Sequence, residues 1–384
     1  MGSLEEVYKL IEIPSVTGNE RKVGDYLESR FREIGCSTER YKVTENRYNI
    51  LARFEGSEEG RLGLLFHGHM DTVDGMGMPS PYEPKTMDGQ VYGRGSVDQK
   101  GGIAAVIEAF ERYTESGRRP KKPFAFVAVI DEESEHRGSM ALKEMGIEAE
   151  FAVVTEPTGL KVGIGCKGTI PLRLHVKGKA AHGCRPWLGV NAVVAGMDMT
   201  QELMSQELSS YEIEGVAKVQ SSINLGLIRG GTAYNNVADT CDVWFDRRVV
   251  PGEDPKEVLE KYRSIVACGA ETHGVEAGIE VSRPDWNWEP IIRRGLLPAL
   301  TDMDTREFEL AVEAHRRVEK EDPKIFFTDG YQEMDFLIND LHINAIQYGP
   351  GDSKLVHTDH EHLDIRDLRQ CSSVFLRMIE LMCE

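Results

Sequence analysis

No Cys-x-x-Cys pair occurs among the seven cysteines of this 384-residue chain. They stand at Cys36, Cys166, Cys184, Cys241, Cys268, Cys371 and Cys383, odd in number and far apart. That spacing argues against a disulfide framework or a cysteine-built zinc site, and reduced, mostly structural thiols are expected. No apolar run approaches the roughly 18 residues a membrane helix needs, and a charged-then-apolar leader is missing, so a cytoplasmic protein with no membrane partner is expected. Positive charge is scarce: 45 Lys and Arg face 64 Asp and Glu, a formal charge of −19, which argues against nucleic acid or an anionic lipid surface as partner. Internal repeats and low-complexity tracts are also missing, which sets aside solenoids and tethers. What remains is a globular chain with 40% hydrophobic and 8% aromatic residues, long enough for two domains.

Three apolar runs carry the chemistry. The first, Leu62-Gly-Leu-Leu-Phe-His67-Gly-His69-Met-Asp71, reads as a buried strand over residues 62–66 of the kind found in parallel sheets. Alternation puts His67, His69 and Asp71 on one side near its carboxyl end, where open α/β sheets bind ligands. The spacing His69-x-Asp71 suits a metal-bound imidazole steadied by a carboxylate. A second run, residues 123–130, ends in Asp131-Glu132-Glu133, and a third, residues 151–155, ends in Glu156-Pro157. One charged strand end is ordinary; three that converge on one sheet edge indicate a metal site. Neighbours on a regular strand point apart, so Glu132 and Glu133 can share a site only where the chain turns.

Helices are predicted over residues 4–11, 20–34, 103–113, 307–319 and 365–382, with Thr17 as an N-cap candidate for the second. Further strands fall at residues 49–54, 326–327 and 345–348. From Gly168 the pattern changes: strands at 169–176, 221–228, 241–249 and 278–282 and helices at 191–203 and 254–266 give the order β-α-β-β-α-β of a ferredoxin-like unit. The expected fold is therefore α/β, a mostly parallel-sheet domain of residues 1–167 and 285–384 with an α+β domain inserted at 168–284. Residues 282–305, which hold Trp286 and Trp288, match no pattern.

His69-Met-Asp71-Thr-Val, Gly93-Arg-Gly-Ser-Val-Asp98-Gln-Lys-Gly-Gly, Asp131-Glu132-Glu133, Glu156-Pro157-Thr158 and His357-Thr-Asp-His-Glu361 occur in this order along nearly the whole chain. Together they resemble the di-zinc hydrolases that include acetylornithine deacetylase, succinyl-diaminopimelate desuccinylase, aminoacylase and glutamate carboxypeptidase. The resemblance implies two Zn2+ ions, with Co2+ or Mn2+ as alternatives. It implies Asp98 as the carboxylate shared by both metals, His69 and Glu156 as the other ligands of one, and Glu133 and His357 as those of the second. It implies Glu132 as general base and Asp71 as the partner of His69. His67 and His136 receive no role. A separate surface cluster of His357, His360 and His362 is the competing assignment for that last motif.

Gly178-Lys-Ala-Ala-His182-Gly-Cys-Arg-Pro resembles the lid motif of the same family. It implies that His182 stabilises an oxyanion in the partner's site within a homodimer. Asn236 and Arg248 fall at substrate-binding positions, with Arg247 as rival for the role of gripping a carboxylate. Gly349 sits in a glycine-rich loop that could bring backbone N–H groups close to substrate. The implied substrate is a small N-acyl amino acid, with Lys167-Gly168-Thr169 leaning toward the deacetylase side. A dipeptide or carboxypeptidase substrate is the alternative, and an inactive metal-binding scaffold the alternative from another class.

Overall fold

The computed structural model describes residues 2–284 and 288–384, which fall into two compact units. The first comprises the chain up to Gly165, then Leu300–Thr328 and Gln332–Glu384; the second is Cys166–Ala299 with Asp329–Tyr331. The return to the first unit comes later than the residue 285 read from sequence. The Thr169 N–H donates to Leu296 O at 2.9 Å, a pairing that ties the unmatched segment to the start of the inserted unit. Within that segment Trp286 lies outside the described residues, and Trp288 precedes the helix Glu289–Arg294.

A nine-stranded sheet organises the first unit. Its order is Ser37–Thr44, Arg47–Phe54, Phe124–Val129, Leu64–His69, Phe151–Val154, Asn344–Gln347, Val162–Cys166 and Ala299–Leu300, with Ile325–Thr328 also paired to Val162–Cys166. The four strands in the middle of that order run parallel. Every residue of Leu64–His69, Phe124–Val129 and Phe151–Val154 is buried, which is why they read as unbroken apolar runs rather than alternating ones. The first of these starts at Leu64 and continues through His69; Leu62 only bridges Ala149, so the imidazoles belong to the strand itself. Register aligns the carboxyl ends: His69 lies opposite Val129, and Val154 lies opposite both His67 and Gln347.

Aromatic packing joins helices to this sheet. The Phe66 ring centroid is 4.9 Å from that of Phe375 on the helix Ile365–Cys383 and 6.0 Å from Phe110 on the helix Lys100–Glu115. Such tilted and edge-on contacts add to the area each ring buries. The edge strand Ser37–Thr44 escaped the sequence reading because Glu39, Arg40 and Lys42 leave it no apolar alternation, as suits an edge that must resist pairing with other chains.

The second unit contains an antiparallel sheet ordered Ser222–Gly230, Thr240–Val249, Gly168–Lys177, Glu276–Val281. The helices Ala192–Met204 and Pro255–His273 pack on one face through Ala195, Met199, Tyr262 and Val266 against Leu172, Leu174, Val243 and Phe245. This is the ferredoxin-like arrangement expected, extended by a hairpin of Ser210–Ile213 and Ala217–Gln220 that the sequence reading missed. Asn191 caps the first helix, accepting from the Val193 and Val194 N–H groups at 3.0 and 3.2 Å. Strand alternation leaves Thr169, Arg173, Trp244 and Arg248 on the half-exposed face. No helix of the described residues is long and apolar enough to cross a membrane.

Candidate metal centre

Parallel strand ends, with the loops that carry Asp98 and His357, bring the predicted ligands together. His69 Nδ1 lies 2.9 Å from the Asp71 carbonyl oxygen. A carbonyl can only accept, so a proton sits on Nδ1 and Nε2 is the ring nitrogen that faces the site. That Nε2 is 2.9 Å from Asp98 Oδ1 and 3.9 Å from Glu156 Oε1. The other oxygen of Asp98, Oδ2, is 3.4 Å from His357 Nε2, which is 3.0 Å from the Glu133 carboxylate. Two triads result, His69–Asp98–Glu156 and Asp98–Glu133–His357, each with its ligand atoms within 4.8 Å of one another. Among the described residues these are the groups able to hold a metal, and the histidines His360 and His362 do not form another.

Asp71 does a second job beside the one expected. Its carboxylate lies 3.7 Å from His69 Nδ1 and interacts with that ring, and its oxygens also accept from the Glu132 N–H at 3.1 Å, the Glu133 N–H at 3.1 Å and the Thr17 hydroxyl at 2.8 Å. The chain turns at Asp131, whose φ is +72°, so both glutamates leave the strand geometry that would have pointed them apart. Arg47 holds this turn through Asp131 Oδ1 at 2.7 Å. Thr17 is thus no helix cap; Glu20 precedes that helix.

Burial, with charge crowding second to it, sets the electrostatics of the carboxyl groups. Burial, reinforced by Glu133, Glu333 and Glu156 against the pull of His69, pushes the Glu132 carboxyl well above the usual carboxylate range. Burial and Asp98 push Glu156 up to about 8. Burial also raises Glu133, aided by Asp98 and opposed by His357. Asp98 goes the other way: burial is outweighed by hydrogen bonds from His357 and His69, which hold it well below its ordinary value. Asp98 and Glu133 lift His357 to about 10. Such a cluster stores protons that a divalent cation would replace. The donor set fits a zinc-like ion, since each triad offers one imidazole nitrogen and carboxylate oxygens.

Several residues that sequence reasoning missed shape the site. Glu361, fully buried, accepts from the N–H groups of Gly95, Val97 and Asp98 at 3.1, 2.8 and 3.1 Å and from Arg94 Nη1 at 2.5 Å. It therefore fixes the loop that presents Asp98. Gln99 donates to Glu156 and accepts from the Thr155 hydroxyl. Glu333, also buried, lies 3.1 Å from His136 Nδ1 and 3.6 Å from His67 Nε2, while His67 Nε2 meets Ser139 Oγ at 3.0 Å. His67 shares a strand face with His69 yet joins neither triad. Of these, Glu361 and Gln99 stood inside quoted motifs and His67 and His136 were named without a role; nothing signalled Glu333.

Gly349 departs from expectation. Its N–H donates to Thr158 Oγ at 3.2 Å rather than facing open space, and a Cβ there would lie 2.4 Å from Glu156 O. Close backbone approach accounts for the glycine.

In the second unit His182 and Asn236 are directly paired across a short antiparallel ladder. His182 is exposed, its Nδ1 accepting from the Cys184 N–H at 3.2 Å. Arg247 is buried and bound to Glu253 at 2.6 Å, which removes it as a candidate for gripping substrate. Arg248 is half-exposed and leans on Asp246 at 2.9 Å.

A family model described as peptidase family M20/M25/M40 matches residues 65–381. An acetylornithine deacetylase of Myxococcus xanthus is 29% identical over 376 residues, covering 94% of this chain and 91% of that protein. Among solved structures, a tripeptidase from Staphylococcus aureus superposes with a TM-score of 0.82 at 21% identity, over 99% of this chain and 97% of the other. Aminopeptidase PepT from Bacillus cereus does so with a TM-score of 0.82 at 20% identity, over 99% and 98%.

Proposed function

Because the chain belongs to peptidase family M20/M25/M40 and is a metal-dependent hydrolase, we propose that it cleaves the amide bond of a small N-acyl amino acid. One observation carries the reading: the two oxygens of Asp98 face two different imidazoles, His69 at 2.9 Å and His357 at 3.4 Å, each with a carboxylate of its own. A carboxylate so placed suits two cations that share it.

His69, Asp98 and Glu156 would hold one divalent ion and Asp98, Glu133 and His357 the other, zinc by donor type, with cobalt or manganese as alternatives. Bound there, the pair supplies Lewis acidity toward the scissile carbonyl and acidifies water. Glu132, fixed through its backbone by Asp71, takes a proton from the attacking water and passes it to the departing amine. His182 supplies a hydrogen bond to the oxyanion, reaching the site of the partner in a homodimer, and Asn236, paired with it, adds a second polar group. The guanidinium fork of Arg248 grips the free carboxylate of the amino-acid half.

The test is a panel of N-acetyl amino acids, N-succinyl amino acids and dipeptides offered to the zinc-loaded protein. Turnover concentrated on the N-acetyl compounds supports the deacylase reading. Turnover confined to dipeptides moves the same site to peptide hydrolysis, and none on any compound overturns the proposal.

A further inference from the structure

We propose that the amino-acid half of the substrate carries a large uncharged side chain, which binds in a cavity of the second unit against Trp244. The inference rests on the reading that Arg248 grips the substrate carboxylate. Arg248 forms part of the wall of a 380 Å³ cavity, a size within the range of small-molecule sites. In an α-amino acid the side chain and the carboxylate leave the same carbon. Once the carboxylate is on Arg248, the side chain has this cavity within reach.

The rest of the wall is mostly apolar: Pro171, Leu227, Trp244, Phe245 and Pro284. Its charged members among the described residues are Arg248, Arg283 and Asp246. Asp246 is already held by Arg248 Nε at 2.9 Å and by the Thr169 hydroxyl at 2.9 Å. An ammonium-bearing side chain would therefore meet a mostly apolar wall, the Arg248 guanidinium and a carboxylate that is engaged elsewhere, an arrangement that disfavours it. The Trp244 ring is itself covered by cations, with the guanidinium carbons of Arg173 and Arg229 each 5.5 Å from its centroid. A leucine or phenylalanine side chain, by contrast, would exchange water for contact with Trp244, Leu227 and Pro171.

Four probes test this on the zinc-loaded protein: the Nα-acetyl derivatives of leucine, phenylalanine, alanine and ornithine. The expected order places leucine and phenylalanine above both alanine and ornithine by about tenfold or more in kcat/KM, the scale on which apolar pockets discriminate. Trp244→Ala should lower kcat/KM for the leucine and phenylalanine compounds more than for the alanine compound. Ornithine equal to or better than leucine overturns the inference. If none of the four is turned over, the amide-hydrolase reading fails separately, and calorimetric titration of the same compounds into Glu132→Ala protein decides the pocket. Tighter binding of leucine and phenylalanine, weakened by Trp244→Ala, supports it; ornithine binding tightest, or no binding at all, removes it.

Discussion

Thr17 donates its hydroxyl hydrogen to Asp71 Oδ2 across 2.8 Å, and through that carboxylate it reaches the backbone of Glu132 and Glu133. The N-terminal segment is laid against the site by further backbone bonds, Thr17 N–H to Thr72 O at 3.2 Å and Thr72 N–H to Ser15 O at 3.0 Å. A residue far from Glu132 and Glu133 in sequence thus fixes the turn that carries the proposed general base and one proposed ligand.

Thr17→Val should leave the metal content unchanged and lower kcat by about tenfold, the rate equivalent of about 1.4 kcal/mol of lost positioning. KM should move little, and Thr17→Ser should restore most of the rate. Steady-state kinetics beside elemental analysis check this. A purely structural role would instead lower the amount of folded enzyme and spare kcat per active site.

Glu132→Ala should keep its metals and lose turnover by roughly 10²- to 10⁴-fold, the usual contribution of a general base. His182→Ala should lower kcat by roughly 10²- to 10³-fold. Mixing inactive Glu132→Ala and His182→Ala subunits should recover activity if His182 acts on the partner's site. No recovery in subunit mixtures shown by mass to have exchanged contradicts that role.

Glu361→Gln should destabilise the fold strongly. It leaves the buried Arg94 cation without its carboxylate, a loss on the order of 3–5 kcal/mol. In a unit of this size that corresponds to a fall in melting temperature on the order of 10 °C, measurable by calorimetry. Because the Glu361 carboxylate also holds the Asp98 N–H, metal affinity should fall with it.

Acid should weaken the fold in part through His315. Burial lowers its pKa below the ordinary 6.5, and its ring bonds the Tyr348 hydroxyl at 2.8 Å. The unfolded chain takes up this proton near 6.5, the folded chain only at lower pH, so the unfolded state binds more protons in between. Stability from this group is full above about 6.5 and is lost as pH falls through the window down to the folded value. Melting temperatures at about pH 5 and pH 7.5 should therefore differ less for His315→Gln than for the native chain.

Much of this architecture was legible because parallel strands buried on both sides must be apolar throughout, so their charged ends stand out. His69, the Asp131 to Glu133 run and Glu156 were visible for that reason, and the alternating strands of the second unit for the complementary one. What stayed hidden depends on contacts distant in sequence. Nothing local marks Glu361 as the acceptor for the Asp98 loop, or Glu333 as the partner of His67 and His136. Asp71 was assigned to the His69 ring because the spacing permits it, and it lies 3.7 Å from that ring; its further partners, the Glu132 and Glu133 N–H groups, depend on the left-handed turn at Asp131. The helix-cap assignment of Thr17 failed for the same reason, since its acceptor is 54 residues away.

The most direct test of the account is the metal content per chain, by elemental analysis after zinc reconstitution, of the native protein, His357→Ala and Asp98→Asn. If Asp98 is the carboxylate shared by two cations, the native chain holds about two zinc ions, His357→Ala about one, and Asp98→Asn close to none. A native chain that holds no zinc, or an Asp98→Asn chain that keeps both ions, would contradict the shared site and the hydrolysis built on it.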